Sequence, residues 1–223
     1  MTATLLLRSS GPMQSWGTQS RFNIRDTGRE PSKSGIIGLL CAALGRPRTE
    51  PVADLAALKM GVRVDREGRL ERDFHIAGKG GYYRISGEME KENVIVSHRY
   101  YLADACFLVG LEGDPALLEV LHHALANPVW PLYLGRKAFV PSEPVWLADG
   151  LWYEADLLSA LRGYPWLGTW GKPAEQLRLV IEDPAGSVVV NDVPVSFVQR
   201  QRAFLPRRVK IDYIYAPFVP QEG

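Results

Sequence analysis

Cysteine is scarce: the 223 residues include two, Cys41 and Cys106, far apart and each inside an apolar stretch. That excludes a disulfide framework or a four-cysteine metal site and suits small buried thiols. Long hydrophobic runs are missing too. The longest, Ile36 to Leu44, is interrupted by Gly38 and falls well short of the roughly 20 residues of a membrane span. Arg8 directly follows the first apolar stretch and leaves no signal-peptide core, so a cytoplasmic protein without a membrane role is expected. No excess of one charge exists, with 26 Lys and Arg against 25 Asp and Glu for a net +1. The chain also lacks a Walker phosphate loop, a G-x-S-x-G elbow and the CxxC and HExxH metal patterns, so no cofactor and no metal are expected.

The placement of the charge says more than its sum. Residues 1–48 hold Arg8, Arg21, Arg25, Arg29, Lys33, Arg46 and Arg48 against Asp26 and Glu30. Residues 196–210 hold Arg200, Arg202, Arg207, Arg208 and Lys210 with no acid. Two basic segments in an otherwise acidic chain predict a localised anion-binding surface, because a polyanion responds to local potential. Solvated arginines on two loops are the plainer account.

Ala3 to Leu7 reads as a buried strand, and the loop from Ser9 to Ser32 has the length typical of functional loops. Ser32 or Ser34 caps a helix that stops at Gly45. Within it Gly35 and Gly38 lower helix propensity and predict the close approach of a strand or a ligand. Pro51 opens a short helix, Lys59 to Val64 alternates as a strand, and Val94 to Val109 supplies two β-branched and aromatic strands framing a glycine-rich hairpin. Asp114 and Pro115 open a second amphipathic helix, and Pro131 to Leu134 is the candidate fourth strand. Strand, helix, strand, strand, helix, strand is the order of an α+β, ferredoxin-like (RRM-like) βαββαβ domain. It is expected over residues 1–147 with an inserted hairpin at about 78–97, followed by a β-rich C-terminal extension of the same unit at 148–223.

Four histidines are present. His122 and His123 are neighbours on a helix and point about 100° apart, a poor geometry for one ion. His75 and His98 flank the hairpin, where either could serve as a general base on an RNA 2′-hydroxyl, with a structural histidine as the plainer reading. Tyr82, Tyr83, Tyr100 and Tyr101 with Arg84 and Arg99 suit unpaired bases on aromatic faces with arginines on phosphates, or else strand packing.

Four blocks carry a resemblance. Gly11-Pro12-Met13-Gln14-Ser15-Trp16-Gly17, Pro31 through Leu40, Arg99 through Ala105 and Pro131 through Lys137 resemble, in order, the signature of the CasD family. Those are the handle-binding subunits of type I-E CRISPR Cascade complexes, within the repeat-associated RNA-binding (RAMP) superfamily. The resemblance spans most of the first 145 residues and is only general in the C-terminal third. It implies a non-catalytic RNA-binding subunit of an antiviral surveillance complex that caps the 5′ handle of the crRNA. A thumb-like hairpin would grip the handle, the backbone and large subunits would be its neighbours, and target DNA would be met only indirectly. In those blocks Ser34 and Gly35 offer helix N-terminal N–H groups to phosphate, with Lys33 adding charge. Gln14 can read a base edge or ribose, and Trp16 can stack or anchor its loop. Arg136 and Lys137 sit on a turn at Gly135, and Arg25, Tyr82, Arg84, Arg99 and Tyr100 complete the expected RNA contacts. The alternative is a metal-independent endoribonuclease with His98 or His75 as base, as in type I-C relatives that cleave RNA. Against it, no matching tyrosine, lysine and histidine set is found, and His98 is followed by Arg99 without a preceding lysine. A third reading is a protein scaffold that uses the apolar thumb tip and the C-terminal Tyr213, Tyr215 and Phe218 only to bind partner subunits.

Overall fold

β1 (Ala3–Ser10) is buried along nearly its whole length, not alternately, because helices cover both faces of the sheet it belongs to. The computed structural model describes residues 2–18, 23–84 and 86–217; Phe218 lies outside them. Two short strands follow, β2 (Met13–Gln14) and β3 (Ile24–Arg25), and then the helices α1 (Lys33–Leu44) and α2 (Ala53–Ala56). β4 (Lys59–Arg66) runs on past Gly68 into β5 (Arg69–Ala77). The small hairpin of β6 (Tyr82–Tyr83) and β7 (Met89–Glu90) forms a tip, from which β8 (Ile95–Ala103) returns into β9 (Cys106–Gly113). α3 (Pro115–Ala126), β10 (Trp146–Tyr153), α4 (Leu157–Gly163), β11 (Gln176–Glu182), β12 (Val188–Ser196) and β13 (Ala203–Tyr215) complete the described chain.

The fold is α+β and largely antiparallel. One seven-stranded sheet has the order β10-β1-β9-β4-β11-β13-β12, every neighbouring pair antiparallel. β8 pairs with β5 and β2 antiparallel and with β3 in parallel, building a separate ribbon that carries the tip. Ser32 caps α1 by accepting from the Gly35 N–H at 3.2 Å, and Gly45 at φ 71° ends it. Asp114 caps α3 at the Leu117 N–H, with Pro115 in the first turn.

Two cores sandwich the large sheet. Leu5, Leu7, Val62 and Val109 face Ile36, Ile37 and Leu40 of α1 and Leu118 and Leu121 of α3. Leu6, Leu108, Leu177 and Leu179 face Leu157 and Leu161 of α4. The cross-strand neighbours Gly61 and Gly110 lie under α4, where a Cβ would come within 2.8 and 2.6 Å of its leucines. Beside them Arg63 and Asp65 are fully buried as an ion pair, and Arg63 also donates to the carbonyls of Leu161, Tyr164 and Pro165.

Pro131 to Leu134 is not the fourth strand. Its backbone instead forms a loop in which Leu134 is buried, bonded to Phe139 and Ser15. The place beside β1 is taken by β10, whose burial is irregular and whose register shifts between Leu5 and Leu7. No helix among the described residues is long and apolar enough to cross a membrane.

Candidate nucleic-acid interface

The N-terminus of α1 is anchored before it can meet any ligand. The Lys33 N–H donates to the Asp192 carboxylate at 2.7 Å, and Lys33 Nζ reaches both oxygens of Glu182 at 3.1 and 2.9 Å. Asp192 also receives the Arg207 guanidinium at 2.7 and 2.9 Å. The chain thus supplies its own anion to the helix terminus, where the macrodipole favours negative charge. The same network ties β12 to the start of α1. At the other end of α1 the N–H groups of Val129 and Trp130 donate to the carbonyls of Ala43 and Ala42, satisfying acceptors that a helix end leaves free.

Between these anchors runs a groove of about 650 Å³. Its lining comes from four distant segments: Ser15 to Gly17, α1 with its exit at Arg46 and Arg48, the loop 130–137, and the β12–β13 turn. Trp130, Tyr133, Phe197 and Phe204 supply aromatic surface, and Trp130 and Phe204 are 45% and 43% exposed. Arg48, Lys137 and Arg202 supply charge, and none of them forms an ion pair among the described residues. Arg46 is held by Asp54 at 2.7 and 2.8 Å. Aromatic faces interleaved with unpaired cations are what an unpaired nucleic-acid strand requires, with stacking for the bases and charge for the phosphates.

The expected contacts divide among four places. Trp16, Ser34, Gly35 and Lys137 do line the groove. Trp16, however, is 1% exposed and donates its indole N–H to Gln14 at 3.1 Å, so it anchors the loop and does not present a face for stacking. Gln14 is fully buried; it accepts from Ser9 Oγ and Trp16 and donates to the carbonyls of Ser9 and Ala105. Its amide is saturated inside the protein and reads no base edge here. Lys33, 2% exposed, is equally committed to Glu182.

A second group surrounds β8. Arg25 and Arg99 are cross-strand neighbours, and Arg99 donates to Ser97 Oγ at 3.2 Å. Arg136 donates to the carbonyls of Tyr100 at 2.8 Å and Arg25 at 3.3 Å and lies over the Phe139 ring. Burial first, and then the charge of Arg99, push the Arg136 pKa below its ordinary value. Arg136 therefore clamps the loop that presents Lys137. Tyr100 is half-buried in the ribbon. At the tip Arg84 is paired with Glu90, and Tyr82 packs against Gly78 while Tyr83 is 72% exposed.

His98 is paired across the ribbon with Phe74, and His75 with Ser97, which puts the two imidazoles on opposite faces. The Nδ1 of His98 is buried without a hydrogen-bond partner among the described residues, where a general base needs a partner that orients it.

Sequence reasoning did not single out Trp130, Tyr133, Phe197 and Phe204 as groove residues. The charge pattern pointed there through Arg46 and Arg48 of the first basic segment and Arg202 of the second, and the blocks of the resemblance through Ser34, Gly35 and Lys137.

A family model described as CRISPR-associated protein (Cas_Cas5) matches residues 4–210. The CRISPR system Cascade subunit CasD of Escherichia coli (strain K12) is 34% identical over 181 residues, which cover 75% of this chain and 80% of that protein. A crystal structure of a Cas protein is 50% identical, covers 97% of this chain and 99% of its own, and superposes with a TM-score of 0.79. A chain of a CRISPR RNA-guided surveillance complex is 36% identical, covers 96% of this chain and 91% of its own, and has a TM-score of 0.81.

Proposed function

Because the chain belongs to the CRISPR-associated protein family Cas_Cas5, we propose that it is the Cascade subunit that caps the 5′ handle of the crRNA, gripping RNA without cutting it. The observation that carries this is the groove along α1, where Tyr133, Trp130 and Phe204 stand beside Lys137, Arg48 and Arg202, unpaired among the described residues. Opposed imidazoles on the ribbon favour gripping over cleavage, since a general base needs a positioned partner.

The order β10-β1-β9-β4, with α1 between β1 and β4 and α3 between β9 and β10, supports reading this part as a ferredoxin-like unit. It then closes with β10, slightly beyond the expected boundary at 147. The β5–β8 ribbon and its tip are the thumb, which reaches the backbone subunit through exposed Phe74, Ile76 and Tyr83. α4 with β11, β12 and β13 forms the C-terminal extension, facing the large subunit. RNA contacts beyond the groove fall to Arg25, Arg99 and the thumb, in a complex that works in the cytoplasm and meets target DNA through its partners.

The test incubates purified chain with end-labelled, single-stranded repeat RNA in EDTA. Shifted but intact RNA is expected, with affinity that falls as salt rises. Lys137→Ala and Arg202→Ala should each flatten the log–log salt slope by about 0.7, one phosphate contact on a single strand. Lys33→Ala should lower stability and leave the slope alone. RNA shortened in a way that His98→Ala abolishes would overturn the capping role, as would unchanged slopes in both groove variants.

A further inference from the structure

Two glycines interrupt α1, and among the described residues only one has a reason in the packing around it. At Gly35 a Cβ would stand 2.8 Å from the Trp16 ring and 3.0 Å from Ser32 Oγ, so packing of the buried indole demands glycine. At Gly38, one turn later, an added Cβ meets nothing within 4 Å among the described residues. Its backbone is helical, with no positive φ, so alanine would fit without strain. Glycine is the poorest helix former after proline, because its backbone loses the most freedom on folding. The free chain therefore carries a helix-weakening residue where neither its packing nor its backbone requires one.

Gly38 is exposed and lines the groove, together with Leu39 and Ala42 of the same helix. Resting on the capping reading above, we propose that Gly38 is where one unpaired RNA nucleotide lies directly against the α1 backbone. The occupant is identified by its surroundings. Trp130, Tyr133, Phe197 and Phe204 offer flat apolar faces, and Arg48, Lys137 and Arg202 offer cations that form no ion pair among the described residues. A flat ring joined to an anion meets both demands, and a bare helix backbone lets that ring approach closer than any side chain would allow. About 650 Å³ lies within the range of sites that hold a small organic ligand, room enough for a single nucleotide.

Gly38→Ala and Gly38→Leu in the full chain separate this from a structural role, because stability and binding should move in opposite directions. Melting temperature should rise by about 1–3 °C in Gly38→Ala. Affinity for a short labelled single-stranded repeat RNA, read by fluorescence anisotropy, should fall about tenfold, on the scale of one lost stack, and further in Gly38→Leu. The RNA annealed to its complement should bind wild type and both variants alike. Wild-type RNA affinity in both variants would overturn the proposal while leaving the capping role intact. Lost assembly with another protein subunit at unchanged RNA affinity would also overturn it, assigning the face to that subunit. A lowered melting temperature in Gly38→Ala would overturn it too, by revealing an internal need for glycine. Failure of the wild type to bind RNA would instead overturn the capping role, and this inference with it.

Discussion

Arg63 and Asp65 show how differently two ion pairs of this chain should behave. Their guanidinium and carboxylate meet at 2.6 and 2.8 Å with no solvent exposure, and Asp65 also receives the Leu167 N–H at 2.7 Å. Removing the carboxylate strands a buried cation, so Asp65→Ala should cost about 3–5 kcal/mol and lower the melting temperature by roughly 10 °C. Arg46 and Asp54 have similar distances, but the Asp54 side chain is 44% exposed. There solvent screens the attraction, and Asp54→Ala should cost at most about 1 kcal/mol. Urea unfolding of both variants decides the matter; equal losses would mean that burial is not what sets the strength of the Arg63 pair. The contrast also explains why Lys33 could not be judged from its place in the sequence. A lysine at a helix N-terminus reads as an anion site, and only the fold brings Glu182 and Asp192 to it from about 150 residues away.

At the scale of elements, the tip carried by the β5–β8 ribbon hangs on one carboxylate. The N–H groups of Glu92 and Asn93 donate to Glu90 at 3.0 and 3.2 Å, and Arg84 pairs with it. Those backbone N–H groups, Glu92 first, together with Asn93 and then Arg84, hold the Glu90 carboxyl at about 2, against an ordinary 4.5. A depressed carboxyl pKa stabilises the folded tip fully above the ordinary value, and the contribution fades as pH falls from about 4.5 to about 2. Protection of the Glu92 and Asn93 amides, taken relative to the intrinsic exchange rate at each pH, should therefore fall across that window, and in Glu90→Gln it should be low already at neutral pH. A Glu90 carboxyl that titrates near 4.5 by NMR would sink this account.

Elements built from local signals were legible beforehand. Ser32 and Gly45 bracket α1, and Asp114 with Pro115 opens α3, because caps act within one turn. β10 was not legible. It alternates irregularly, Gly150 interrupts it, and its pairing with β1 shifts register. α4 is seven residues long, too short to show a helical period, and is fixed by its seat on Gly61 and Gly110. The groove was the least legible feature, since no single segment carries enough of it to form a motif. Trp130 and Phe204 are isolated aromatics in the sequence and become neighbours of one site only through tertiary contacts.

That dispersion couples the groove to the stability of the whole molecule. Asp192 is the joint: it holds the start of α1 and Arg207 of β13 together, and the segment that leads from β12 into β13 carries Phe197, Arg202 and, at the start of β13, Phe204 into the groove. A ligand that binds only the assembled groove stabilises the fold by mass action. RNA at 100 times its dissociation constant should add about 2.7 kcal/mol, which for a chain of this size is roughly 5–10 °C in melting temperature. Asp192→Ala leaves the Arg207 guanidinium and the Lys33 N–H without their acceptor, so it should lower the melting temperature of the free chain. It should also weaken RNA binding, although Asp192 is 1% exposed and bears a charge that repels phosphate. A purely electrostatic view of the surface predicts the reverse sign, because deleting an acid near a basic groove ought to strengthen binding. Anisotropy titrations and thermal melts of this one variant, with and without RNA, separate the two. Tighter binding would show that the turn takes no part in the groove and that charge alone governs the interface.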